Sequence, residues 1–212
     1  MEIKFKRFNP NTDTIKPFDC GDSDLNGFLL ESNDDVPNAT QHAKQLLAVT
    51  YLIEDVESGK TVSYFSLLHD RIERDFADKT IWNRLSRHIP NAKRRRSYPA
   101  IKIGRLAVSE EYKGHGFGSK ILGLVKQWYS TDNRAGCRYI TVDALPSAVS
   151  FYQRNHFERL LGSDNEEDTV LIGSSHFLRQ FFFHFSKKAV PLYCKVSRMS
   201  EKDFKTIICN AL

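Results

Sequence analysis

Three glycines at alternate positions, in Lys113-Gly114-His115-Gly116-Phe117-Gly118-Ser119, constrain this chain more than any other feature. Glycine has no Cβ, so such a turn can bring bare backbone close to a ligand and adopt positive φ without strain. Residues 101–108 before it alternate as a strand, and residues 120–128 after it carry a helical pattern. A second strand follows over 137–143, then a short helix bearing Ser150, Phe151 and Tyr152. A helix that opens straight out of a glycine turn offers unpaired N–H groups and a positive dipole end, which together suit a phosphate.

The turn matches neither common nucleotide signature. Read from Gly114, the dinucleotide pattern G-x-G-x-x-G needs a third glycine where Ser119 stands; read from Gly116, it meets Ile121. The triphosphate loop G-x-x-x-x-G-K-[ST] is absent too. The turn does resemble the R/Q-x-x-G-x-G/A element of the GNAT acetyltransferase superfamily, with Lys113 at the R/Q place, then Gly116 and Gly118. Two flanking blocks strengthen the likeness: Arg105-Leu106-Ala107-Val108 on the strand before, and Ala148 to Phe157 after, similar to A-x-x-F-Y-x-x-x-G-F. His156 stands where that block has glycine, so the local turn is expected to differ slightly.

Phe18-Asp19-Cys20-Gly21, then Leu25, Asn26, Phe28 and Leu29, resemble the opening of toxin-type acetyltransferases from bacterial toxin–antitoxin operons. Residues 99–108 and 142–144 are similar to the same group, and the likeness spans residues 15–160. It implies a GNAT fold, acetyl-CoA as co-substrate, and the amino group of a charged transfer RNA as acceptor. It also implies a small ribbon-helix-helix antitoxin as a partner.

By the same resemblance, the backbone of Lys113, Gly114, His115, Gly116, Phe117, Gly118 and Ser119 holds the pyrophosphate, with the Lys113 and His115 side chains adding donors or charge. Leu106, Ala107 and Val108 line the pantetheine arm, and a strand N–H there faces the thioester oxygen. Tyr152 is the general acid for the departing thiolate. The plainer readings are a simple strand–helix turn for the glycines and packing beside Phe151 for Tyr152. An α-amine of pKa about 7.7–8.0 is partly neutral already and needs no strong base, whereas a lysine amine near 10.4 does. His69, Asp70 and Glu110 are bases that sequence does not rank.

The fold class expected is α/β (α+β): one domain over 1–212, with a mixed sheet of about six or seven strands flanked by helices. The core takes residues 1–161, an aromatic-rich segment is added over 162–188, and a last strand and terminal helix take 189–212. Strands are expected over 2–8, 47–53, 60–68, 156–161 and 191–197, and helices after Asp22 or Ser23, over 37–46 and over 201–212. In the polar stretch 75–97, Trp82 and Leu85 are the expected inward residues. Residues 163–168 read as an acidic loop. Phe177 to Phe185 reads as either a buried element or an interface, a homodimer included.

A net charge of +5 favours anionic partners. It concentrates in Arg84, Arg87, Lys93, Arg94, Arg95 and Arg96, which read either as a solvated basic loop or as a nucleic-acid contact. No run of apolar residues reaches membrane-spanning length, and the first residues lack a signal core, so a cytoplasmic location is expected. Cys20, Cys137, Cys194 and Cys209 have no metal-ligand spacing and read as reduced, buried thiols; no metal is expected. Beside the toxin-like enzyme stand two alternatives: a GNAT enzyme acting on a small-molecule or protein amine, and a catalytically silent coenzyme-binding module.

Overall fold

Local capping chemistry starts the first helices where the residue types allow. In the computed structural model, which describes residues 2–33, 36–91, 94–131, 136–160 and 190–195, helix α1 (Ser23–Leu30) is capped by Asp22. The Asp22 carboxylate accepts the Leu25 N–H at 2.9 Å. Helix α2 (Ala39–Lys44) is capped by the Asn38 side chain, which accepts from Gln41 N at 2.9 Å. The helix expected over 37–46, with Pro37 at its start, is thus shorter: Pro37 precedes the cap and lies outside the helix. Helix α3 is Lys79–Ser86 under an Asp78 cap, α4 is Phe117–Thr131 and α5 is Val149–Arg154.

The strands are β1 (Ile3–Arg7), β2 (Val49–Asp55), β3 (Lys60–Glu73), β4 (Ser97–Val108), β5 (Tyr139–Ala144), β6 (Glu158–Arg159) and β7 (Val190–Lys195). They form a seven-stranded mixed sheet in the order β1-β2-β3-β4-β5-β7-β6. β1 and β3 both pair antiparallel with β2, and β2 and β3 make a hairpin closed by Gly59 at φ 66°. β7 pairs antiparallel with both β5 and β6. β3 runs five residues beyond its expected end, because Ile72 is buried and Asp70 accepts from Thr141 Oγ1. The strand expected over 156–161 shrinks to two residues.

The described residues divide into two compact units. The first draws on residues 2–68 and 103–131, the second on 69–102, 136–160 and 190–195.

In the first unit, sheet alternation separates two apolar faces. Leu52 and Tyr64, opposite each other on β2 and β3, join Phe8, Phe18, Phe28, Leu29, Ala39 and Ala107 in one core. The neighbouring pair Tyr51 and Phe65 belongs instead to a ring cluster with Trp128 of α4, the Tyr51 and Trp128 centroids 5.0 Å apart. Each fully buried side chain of this size is worth roughly 1.5–3 kcal/mol over exposure. The buried Tyr64 hydroxyl donates to the Leu25 carbonyl at 2.7 Å, which anchors α1.

In the second unit, Trp82 and Leu85 point inward as expected and pack with Ile72, Tyr98, Ala100, Tyr139 and Tyr193. The Tyr139 hydroxyl donates to the Leu85 carbonyl at 2.7 Å, satisfying the end of α3.

Cys20, Cys137 and Cys194 are buried and unbridged. No helix among the described residues is long and apolar enough to cross a membrane. The expected acidic loop over 163–168, the aromatic stretch 177–185, the helix over 201–212, Lys93 and Cys209 lie outside the described residues.

Candidate active site

Helix α4 begins at Phe117, three residues inside the stretch the sequence assigns to the turn. Gly114 and Gly116 both hold φ 80°, a left-handed conformation that suits glycine. Lys120 N donates to Gly116 O at 3.0 Å, the first turn-closing bond of the helix. The N–H groups of Phe117, Gly118 and Ser119 precede it and belong to the helix start that has no intrahelical acceptor. A Cβ built on Gly114 or Gly116 meets nothing within 4 Å. Open space at Gly114 and Gly116 thus adjoins the backbone donors and positive helix end of Phe117, Gly118 and Ser119, which is what an oxyanion-rich ligand requires.

The Lys113 and His115 side chains have partners of their own. Lys113 Nζ donates to the Cys20 carbonyl at 2.9 Å and to Glu110 Oε1 at 2.6 Å. His115 is exposed, with Nδ1 placed 3.0 Å from the Lys113 carbonyl. Upstream on β4, Ala107 is buried in the first unit's core, while Leu106 and Val108 are half-buried. Ser109 N donates to Val62 O, and Glu110 N to Asp19 O, both at 2.9 Å.

In the second unit, α5 carries Tyr152, which is 7% exposed and held edge-on between Phe151 and Phe157 at centroid distances of 5.1 and 5.4 Å. Burial pushes its phenol well above the usual tyrosine range, so it stays protonated. His156 holds φ 62°. The chain thus keeps a backbone conformation that glycine favours, and the histidine carries the strain. The Phe157 N–H returns to the Tyr152 carbonyl at 3.0 Å and closes this turn on α5.

Residues 88–173 match the family model described as "Acetyltransferase (GNAT) domain". Over those residues the sequence is similar to the GNAT acetyltransferases. Among solved structures it is similar to a bacterial toxin at a TM-score of 0.62 and 15% identity, over 99% of this chain and 95% of that one. AtaT complexed with acetyl-methionyl-tRNAfMet gives a TM-score of 0.59 at 17% identity, over 98% and 99% of the two chains. A tyrosine-to-phenylalanine mutant of KacT gives 0.60 at 18%, over 99% of each. At these identities the likeness is one of fold. No curated protein matches the sequence.

The remaining expected residues fare unequally. Arg84 pairs with Glu158 and donates to the Tyr193 hydroxyl at 3.0 Å, tying α3 to β6 and β7. Arg87, Arg94, Arg95 and Arg96 are exposed. Of the bases left open, Glu110 pairs with Lys113, Asp70 accepts from Thr141, and His69 is exposed. Sequence reading passed over Asp55 and Tyr112. The Tyr112 hydroxyl donates to Asp55 Oδ2 at 3.1 Å, a link no local pattern announces. No group of three or more metal-ligating side chains exists among the described residues.

Proposed function

We propose that this chain is an acetyl-CoA-dependent N-acetyltransferase whose acceptor is the α-amino group of an aminoacyl-tRNA. The observation that carries the coenzyme assignment is the open glycine cradle, two residues at φ 80° leading into a helix start. Acetyl-CoA supplies the acetyl group as an activated thioester. Backbone N–H groups from Gly114 to Ser119 hold its pyrophosphate, and the Leu106–Val108 backbone orients the pantetheine arm and offers a donor to the thioester oxygen. One such preorganised donor is worth about 3–4 kcal/mol in other enzymes. Tyr152 holds a proton for the leaving sulfur, and its buried, neutral phenol fits that duty. The amine nitrogen forms the new bond to the acetyl carbon as the carbon–sulfur bond breaks and the sulfur takes the Tyr152 proton; the nitrogen's surplus proton passes to water, which reprotonates the phenolate.

Two observations favour an RNA-borne acceptor over a small amine: the exposed Arg87, Arg94, Arg95 and Arg96, and the net charge of +5. The fold likeness to AtaT, solved with acetyl-methionyl-tRNAfMet, points the same way. AtaT has also been solved with the C-terminus of its antitoxin AtaR, and we extend to this chain a small antitoxin partner. We read the chain as one acetyltransferase domain with residues 162–188 added to it.

The test is acetyl transfer from labelled acetyl-CoA to a mixture of charged tRNAs, with Tyr152→Phe as control. Tyrosine-dependent label at the aminoacyl end supports the reading. Acetyl-CoA binding without label transfers the assignment to a small-molecule or protein amine.

A further inference from the structure

The residues just before the glycine turn are held by a network that the coenzyme reading does not use. Glu110–Tyr112 forms a single 3-10 turn, and each of its residues is tied to a different part of the first unit. Glu110 N donates to Asp19 O at 2.9 Å. Glu111 receives Lys60 Nζ through both carboxylate oxygens, at 2.6 and 2.9 Å. The Tyr112 hydroxyl donates to Asp55 Oδ2 at 3.1 Å and lies 3.2 Å from Ser58 Oγ.

The Asp19 to Gly21 segment is shaped for this contact. Asp19 Oδ1 accepts from Gly21 N and from Asn26 Nδ2, each at 2.8 Å, while Asn26 Oδ1 accepts from Cys20 N at 2.9 Å. Phe18 and Cys20 are buried in the core beneath. Gly21 sits at φ 76°, and a Cβ there would overlap the Glu110 carboxylate. That carboxylate takes Lys113 Nζ at 2.6 Å, and the same ammonium reaches the Cys20 carbonyl at 2.9 Å. Gly21 is thus a close-approach glycine, which makes room for the acid that holds the first residue of the turn.

We infer that residues 19–21, Glu110 and Lys113 form a brace that fixes the glycine cradle, and that Lys113 is a positioning residue acting through Glu110 and the Cys20 carbonyl. A cradle made of main-chain donors has no side chains of its own to lock it, so its geometry depends on how its entry is anchored. This inference rests on the acetyl-CoA reading above.

Gly21→Ala and Lys113→Met test it, singly and together, with acetyl-CoA affinity and the kinetic constants as readouts. Each single variant should weaken acetyl-CoA about tenfold and raise its KM, leaving kcat and the acceptor KM within about twofold. The double variant should lose no more than the worse single, because both break one brace. Lys113→Arg should restore most of the affinity. An unchanged affinity in Gly21→Ala overturns the inference, as does a double variant whose loss is the product of the singles. Amide exchange on the ligand-free protein separates this from the coenzyme assignment. Faster exchange at the Glu110 and Lys113 N–H in both variants supports the brace, even if the wild-type protein binds no acetyl-CoA and the coenzyme reading falls. Unchanged exchange removes the brace.

Discussion

Lys113 and Arg84 begin as equals, each a cation read from sequence as a contact for a phosphorylated ligand, and both turn out to have internal partners. Their surroundings differ. Around Lys113 the capacity to bind an anion lies in the main chain, in glycines at φ 80° and a helix start. Around Arg84 it lies in side chains, since Arg84 is held by Glu158 and Tyr193 while Arg87, Arg94, Arg95 and Arg96 are exposed. The comparison teaches that main-chain sites and side-chain sites answer differently to mutation. A main-chain site is broken by whatever disturbs its backbone geometry, the anchoring of its entry included. A charged surface is eroded one residue at a time and by salt.

The largest expected effect comes from Tyr152 in the second unit, the proposed general acid. Tyr152→Phe should lower kcat by about 10²–10⁴, the span of one general acid, with acetyl-CoA affinity within about twofold. Single-turnover kinetics beside calorimetric titration decide it, and an equal loss of affinity would make Tyr152 a packing residue. Next is the backbone site. Gly116→Asp imposes strain of about 1–3 kcal/mol at φ 80° and sets a carboxylate against phosphates, so acetyl-CoA affinity should fall about 100-fold. Retained affinity would dissolve the main-chain half of the comparison.

A smaller effect is expected on the charged surface. Replacing Arg94, Arg95 and Arg96 by alanine should weaken charged tRNA about tenfold and flatten the slope of log affinity against log salt by about 0.7–0.9 per lost phosphate contact. Acetyl-CoA affinity should not move. If it does, the two regions are not separate in function.

The smallest effect concerns a buried histidine of the first unit. His42 is buried, with Nδ1 2.9 Å from the Asn38 carbonyl. Burial lowers its pKa, Arg105 adds to the shift and the Asn38 contact opposes it. A depressed folded-state pKa means the contribution to stability is present above the ordinary value of 6.5 and is lost as pH falls through the lowered one. Between pH 7 and pH 5 the wild-type Tm should therefore drop about 2–4 °C more than that of His42→Gln, by calorimetry.

Much of this was legible from residue order. The Asp22 cap, the inward Trp82 and Leu85, the hairpin at Gly59 and the glycine turn into α4 all follow from local periodicity and turn chemistry, which act within a few residues. The boundaries were less so. The helix pattern read from Lys120 actually starts at Phe117, because Gly118 and Ser119 fit a first helical turn as well as a loop. His156 shows a subtler limit: its type predicts an altered turn, yet the backbone stays left-handed at φ 62°. Packing of Phe157 and the return bond to Tyr152 outweigh the local preference of one residue.

The glycine turn, the helix behind it and the tyrosine-bearing helix follow from the order of residues, since each depends on near neighbours in the chain. The internal partners of the charged groups, by contrast, are set by the tertiary structure. Lys113 meets a carbonyl 93 residues away and Arg84 a hydroxyl 109 residues away. The insertion of β7 between β5 and β6 is equally remote from local signals. Such pairings depend on loop closure and shared burial over the whole chain, and a cation's formal charge is the same whether it is solvated, ligand-facing or internally paired.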